Sequence, residues 1–458
     1  MEKIWEKEGR VIPTMSEKIA GMPLVITVDP KNVQAVLATK FKDFGLGEFR
    51  FKSFYPMLGS GIFTTDGEQW AHARAMLRPQ FARDQVSDLD LEEKHIQHLL
   101  RHVPVNSDGW TDIINIQPLF FRLTLDSATE FLFGESVNSQ LSNVTGDALD
   151  ESSFSYAFDN GQRALSESFM YGEKFYWLRY GKEFKQHVKI CHDFVDFFVA
   201  KALNQEKSSA GTTSAGKKKF VFVEALAEST RDPIELRNHL INILLAGRDT
   251  TASSLSFTFL ELIRNPHIYA KLRAVILEHF GTYQNPRNIT FESLKGCNYL
   301  QWLLQESLRL YPVVPMDSRT ALQDTSLPTG GGPDGTKPIY IRKGVQVQYP
   351  LYHMHRRIDF WGEDANEFKP ERWEGRRTGW EYLPFNGGPR ICIGQQFALT
   401  EAAYVIVRLL QRFEACEGVG NTWEPVEKGG YGFVRWSSRL TGAPADGVKI
   451  RFKEATGQ

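Results

Sequence analysis

The stretch Phe385-Asn-Gly-Gly-Pro-Arg-Ile-Cys-Ile-Gly394 decides how this chain is read. It is a glycine-rich loop, and a helical pattern over residues 395–413 begins where it ends. Cys392 is thereby set just before a helix N-terminus. Amide N–H groups and the positive end of the helix dipole favour a thiolate there, and Arg390 adds positive charge nearby. A thiol so placed serves as a nucleophile, as a metal ligand, or as a buried structural group.

Further chemistry-bearing stretches lie N-terminal to the loop. Phe368-Lys-Pro-Glu-Arg-Trp373 is nearest. Glu306-Ser-Leu-Arg309 sits in a helical pattern, where a three-residue spacing puts opposite charges on one face. Alone, that pair is indistinguishable from an ordinary surface ion pair. Ala246-Gly-Arg-Asp-Thr-Thr251 interrupts the apolar helical stretch 234–263 with a glycine, an acid and an alcohol, at a cost in helix propensity and polar burial. Either Thr250 bonds back to the carbonyl of Ala246 and bends the helix, or these groups do chemistry. Trp70-Ala-His-Ala-Arg74 puts an aromatic ring and a cation on one helix face. Arg319 follows Val313-Val-Pro-Met-Asp-Ser318.

Together these stretches resemble the cytochrome P450 superfamily. Phe385, Gly388, Arg390, Cys392 and Gly394 fill all five fixed positions of its haem-binding signature, Phe-x-x-Gly-x-Arg-x-Cys-x-Gly. The resemblance implies a mainly α fold with a small β region, in which haem b lies between the long central helix and the cysteine loop. It implies that Cys392 binds the iron, that Gly388 and Gly394 let backbone approach the porphyrin, and that Phe385 packs near the sulfur. Arg390, Trp70, Arg74 and Arg319 would contact haem propionates. Glu306, Arg309 and Arg372 would form a structural charge network that braces the loop. In the central helix, Gly247 would open a groove for dioxygen, Thr250 would deliver protons during its activation, and Asp249 would help to relay them, with Arg248 turned away towards solvent or an acidic neighbour.

The Arg-containing Ala246–Thr251 variant also resembles fungal alkane and fatty-acid hydroxylases. So do Ala38-Thr-Lys-Phe-Lys-Asp-Phe-Gly-Leu-Gly47, Gly61-Ile-Phe-Thr-Thr-Asp-Gly67, Met354-His-Arg-Arg357 and Ala443-Pro-Ala-Asp-Gly-Val448. That branch implies terminal or near-terminal hydroxylation of long aliphatic chains. Tailoring of a fungal secondary metabolite is the alternative, and a non-catalytic haem-binding paralogue is the alternative of another class. A cysteine hydrolase would need a histidine base, and no sequence feature nominates one near Cys392. Electrons would come from NADPH through a separate cytochrome P450 reductase, with O2 and an apolar small molecule as the other partners. Arg356, Arg357, Arg376 and Arg377 are candidates for docking that reductase. Residues 49–58, Ala246, 313–316 and 431–434 are candidate pocket walls.

The 458 residues are 42% hydrophobic and 24% charged, an ordinary globular composition that argues against disordered and fibrous classes. A formal charge of -1 supplies no basic field for nucleic acid. The cysteines at 191, 297, 392 and 416 show no paired metal-ligand spacing, and too low a density for a disulfide scaffold, so a reducing compartment is expected. One catalytic domain is expected across 1–458. The charged N-terminus carries no apolar run, so the membrane anchor and hinge with which fungal members begin are expected to be absent, and an intact member would sit at the cytosolic face of the endoplasmic reticulum. Helical spacing recurs at 91–103, 184–203, 234–263, 300–310 and 397–413. Residues 338–349 read as a hairpin turning at Arg342-Lys-Gly344, preceded by a turn-rich loop over 328–335, and residues 206–219 read as a polar surface loop.

Overall fold

The computed structural model describes residues 11–19, 22–82, 87–141, 151–204, 220–419, 434–438 and 440–456. The loop at 206–219 and the first ten residues lie outside them. The helices used below are α1 Glu48–Leu58, α2 Gly67–Leu77, α3 Leu89–Leu100, α4 Ile116–Phe133, α5 Glu151–Phe175, α6 Lys182–Asn204, α7 Pro233–Arg264, α8 Asn298–Leu310 and α9 Gln395–Arg412. Helix dominates, and strands are short and peripheral, as expected.

The central helix α7 organises the rest. Its start is specified locally: Asp232 caps the N–H groups of Ile234 and Glu235, and Pro233 occupies the first turn, where a missing N–H costs nothing. Its 32 residues span roughly 48 Å at ~1.5 Å per residue. Beyond Asp249 almost every side chain is buried, because helices pack on all sides of it. The C-terminal half joins α3, α4, α8 and α9 in one apolar cluster, with Phe120 and Phe259 rings 5.4 Å apart. The N-terminal half joins α1, α5 and α6 in a second, against which Ile393 and Phe397 from the cysteine loop and α9 also pack. Phe397 at the start of α9 meets Phe131 of α4, ring centres 5.0 Å apart, so the loop is anchored to the same apolar cluster as the N-terminal half of α7.

The β region departs from expectation in its pairing. Strands β1 Thr14–Ile19, β2 Met22–Thr27, β3 Phe44–Gly45, β4 Asp317–Ala321 and β7 Gln346–Tyr349 form a sheet in the order β1-β2-β7-β4-β3. β2 and β7 run parallel, with Val25 opposite Val347. The turn at Arg342–Gly344 is present, with Gly344 at φ 85°, but its arms diverge. The arm β6 Lys337–Ile341 pairs instead with β5 Thr325–Gly331, Thr325 facing Ile341, so part of the expected loop at 328–335 is strand. The cause is competition: β7 finds partners on both sides in β2 and β4.

Candidate active site

The cysteine loop is held by its own backbone. The N–H of Cys392 donates to the carbonyl of Phe385 at 2.9 Å, and that of Ile391 to Gly388 at 3.1 Å. Gly388 is required by a neighbour in the chain: its φ is 67°, and a Cβ there would lie 1.9 Å from the carbonyl oxygen of Leu37. Gly394 caps α9 and donates its N–H to the Cys392 sulfur. Cys392 is accessible, whereas Cys191, Cys297 and Cys416 are buried, and all four are free thiols. The surrounding protein still desolvates the sulfur enough to push its thiol above the ordinary range, against the Gly394 amide and the Arg74 charge. The lowered pKa expected from the helix end and Arg390 is therefore not found. Burial penalises the bare thiolate, and Arg390 is turned elsewhere, so a bound cation would have to supply the missing stabilisation.

Arg390 reaches Asp66 at 2.6 Å and the carbonyl of Thr65 at 3.0 Å, and its guanidinium lies 4.4 Å from the Trp70 ring centre. Arg74 donates to the carbonyl of Ile391 at 2.9 Å. Arg319 bonds Asp317 at 2.8 Å, and Arg50 approaches the same carboxylate at 3.4 Å. Tyr349 and Asn386 also donate to Asp317, at 2.9 and 3.0 Å. Burial, together with repulsion from Arg319 and Arg50, lowers Arg390 to about 10. Its Nε is buried without a hydrogen-bond partner. Four arginines thus gather around the loop with two carboxylates among them, Asp66 and Asp317. That donor set fits haem: an accessible thiol for the iron and a cationic surplus for two propionates. Arg50, Asp66 and Asp317 were not singled out from sequence, since no spacing links them to Cys392, and Asn386 sits in the loop at a position the haem-binding signature leaves open.

In α7 the Thr250 hydroxyl donates to the Ala246 carbonyl at 2.7 Å, the back-bonded arrangement. Asp249 is buried beside Arg248, which reaches it at 3.4 Å and Asp159 of α5 at 2.5 Å. Burial alone would lower the proton affinity of Arg248; Asp249 and Asp159 raise it. The acidic neighbour expected for Arg248 is thus Asp159, and solvent is not its destination. A Cβ on Gly247 would point at Ala128 of α4, 3.4 Å away, in ordinary contact.

The structure brings Glu306, Arg309 and Arg372 together. Glu306 is fully buried and accepts from Arg309 twice at 2.8 Å, from Arg372 at 3.3 Å, from the Lys369 N–H at 2.9 Å and from the Trp373 indole at 3.0 Å. Arg309 also holds the carbonyls of His355, Ala365 and Glu367. His355 Nε2 accepts from the N–H of Leu383, two residues before Phe385. Burial, then the charges of Arg309 and Arg356, lower His355 to about 3 from 6.5. A depressed histidine stays neutral while the unfolded chain binds a proton, so stability is full above 6.5 and drains as pH falls towards 3. The expected loss is up to ~1.4 kcal/mol per pH unit. Comparing unfolding of wild type and His355→Gln between pH 7 and pH 4 checks this; parallel curves would refute it.

The arginines expected to dock a reductase are mostly engaged within the fold. Arg357 is buried on Asp359 and the Val28 carbonyl, Arg356 donates to the Leu310 carbonyl and stacks on Tyr352, and Arg376 donates to the Phe360 carbonyl. Arg377 is exposed. Of the pocket candidates, Phe54 and Val313 are buried, Phe49 stacks on Phe169 at 4.8 Å, and Met316 is exposed; residues 431–433 lie outside the described residues. No helix among the described residues is long and apolar enough to cross a membrane.

A family model described as cytochrome P450 matches residues 2–439. Cytochrome P450 monooxygenase g430 of a Fusarium species is 54% identical over 415 residues, covering 89% of this chain and 72% of that protein. Two Debaryomyces hansenii proteins are comparably similar. Cytochrome P450 52A13 is 50% identical over 408 residues, 87% of this chain and 77% of its own, and cytochrome P450 52A12 is 52% identical over 448 residues, 95% and 83% respectively.

Proposed function

The chain belongs to the cytochrome P450 family and is a monooxygenase, and from that premise we propose that it hydroxylates long-chain alkanes or fatty acids at or near the chain terminus. The observation that carries the reading is the accessible Cys392 thiol on a loop ringed by arginines, just before α9. Haem iron, once bound, supplies the oxygen-activating chemistry, with electrons from a redox partner. Cys392 would bind the iron, while Arg390, Arg319, Trp70 and Arg74 hold the propionates and Phe385, Gly388 and Gly394 shape the loop around sulfur. Haem b is the form these residues suit, and NADPH–cytochrome P450 reductase at the endoplasmic reticulum surface is the electron donor we propose.

Asp249 and Thr250 would pass protons during oxygen activation, with Gly247 easing the approach of dioxygen. For that, the Thr250 hydroxyl must leave the carbonyl of Ala246. Thr250→Ala should keep haem and substrate binding while lowering the fraction of NADPH recovered as product by an order of magnitude or more, on the scale of general acid–base effects, about 10²–10⁴. Unchanged coupling would refute the role. The substrate class is tested by titrating a long-chain fatty acid and an n-alkane into the ferric protein. A low-to-high-spin change with terminal hydroxylation supports it; neither response would turn the proposal to a secondary metabolite.

A further inference from the structure

Asp66 stands where a helix cap belongs and does not cap. It immediately precedes α2 with extended dihedrals, φ -123° and ψ 171°, yet its side chain bonds no amide of that helix. The carboxylate turns instead to two other segments. One oxygen accepts from the Leu46 N–H at 2.9 Å and from Arg390 Nη2 at 2.6 Å, and the other accepts from the Gly47 N–H at 3.0 Å. The packing leaves it little room: a Cβ on Gly45 would lie 2.7 Å from Oδ2 and 2.8 Å from Oδ1. Gly45 ends β3, and Gly47, with φ 84°, turns the chain into α1. A single side chain therefore joins the cysteine loop, through Arg390, to the entry of the helix whose residues are candidate pocket walls.

Arg390 is gripped at one corner of its fork. Nη2 donates to Asp66 and to the Thr65 carbonyl, whereas Nη1 reaches the Ile62 carbonyl only at 3.4 Å and Nε has no partner. Burial lowers the proton affinity of Arg390, and the Asp66 charge is the largest influence set against it. Asp66 thus fixes the guanidinium while leaving donors over for another acceptor.

We propose that Asp66 is a positioning residue with two tasks: it orients Arg390 for a haem propionate, and it pins the entry to α1, so that haem retention and the pocket wall depend on one carboxylate. The inference rests on the reading of Arg390 as a propionate ligand. Without that anion Arg390 would keep its charge and lose its fixed direction, and a guanidinium holds a carboxylate well only when its planar fork is aligned. The Leu46 and Gly47 amides would lose the acceptor that stops the chain ahead of α1 from opening.

The test uses the full-chain holoprotein. Its readouts are haem transfer to excess apomyoglobin, the midpoint potential of the iron, and hydrogen exchange at the Leu46 and Gly47 amides. In Asp66→Asn, transfer and exchange should each quicken about tenfold or more, the scale of one lost hydrogen bond to a charged group. Gly45→Ala is the sharper variant, because the charge stays while the new Cβ pushes the carboxylate aside. It should also quicken transfer and exchange and move the potential to more positive values, which a role confined to packing would not do; added to Asp66→Asn it should do little more. Arg390→Ala is run in parallel and should shed haem while exchange at Leu46 and Gly47 stays as in wild type. If it holds haem as firmly as wild type, the propionate reading fails and the proposal with it. If it sheds haem while Asp66→Asn and Gly45→Ala do not, the role of Asp66 alone is overturned. Faster transfer with unchanged exchange at both amides would overturn the pin on α1. Should Asp66→Asn fail to fold, Gly45→Ala decides by the same criteria.

Discussion

Glu306→Ala is expected to yield no soluble haem-loaded protein. The carboxylate is fully buried and accepts from two arginines, an indole and a backbone amide. Its removal leaves Arg309, also fully buried, with its charge uncompensated. Breaking a buried pair from one side costs about 3–5 kcal/mol, a large part of a typical net stability of about 5–15 kcal/mol. The damage is also directional. Arg309 ties the carbonyls of His355, Ala365 and Glu367, and His355 in turn holds the N–H of Leu383 at the entrance to the cysteine loop. Haem content per chain and thermal unfolding would report it, with Glu306→Gln, which keeps some acceptor capacity, expected to lie between. Well-folded, haem-replete Glu306→Ala would refute the brace.

Cys392→Ser should behave in the opposite manner, with the fold kept and the chemistry lost. A serine hydroxyl can still accept from Gly394, and the loop is fixed by groups other than the sulfur: the Cys392 N–H on Phe385, Arg74 on Ile391, and Gly388 against Leu37. Circular dichroism and unfolding temperature should therefore change little. The thiolate-type band of the ferrous–carbon monoxide difference spectrum should vanish, and monooxygenation with it, because alkoxide is a poor substitute for a soft thiolate donor. A variant that retained that band would remove Cys392 from the iron.

Wherever an interaction is local, this chain's sequence determined it. The α7 and α8 helices follow from apolar spacing, the start of α7 from Asp232 and Pro233, and the position of Cys392 from a loop that must end where α9 begins; the four-residue separation of Thr250 and Ala246 allowed their bond, which the folded structure adopts. Tertiary structure alone decided the rest. Residues 338–349 carry the alternation of two strands, but not the information that β6 pairs with β5 while β7 enters another sheet between β2 and β4. Arg319 was legible; the Asp317 carboxylate that it shares with Arg50, 267 residues away, was not. Arg248 could be expected to turn to solvent or to an acid, but Asp159 comes to it from another helix across 89 residues. Period and spacing report only what the backbone repeats over a few residues. The sharing of cations between carboxylates, and the balance of desolvation against charge at Cys392, depend on which distant segments the packed core brings within a few ångströms.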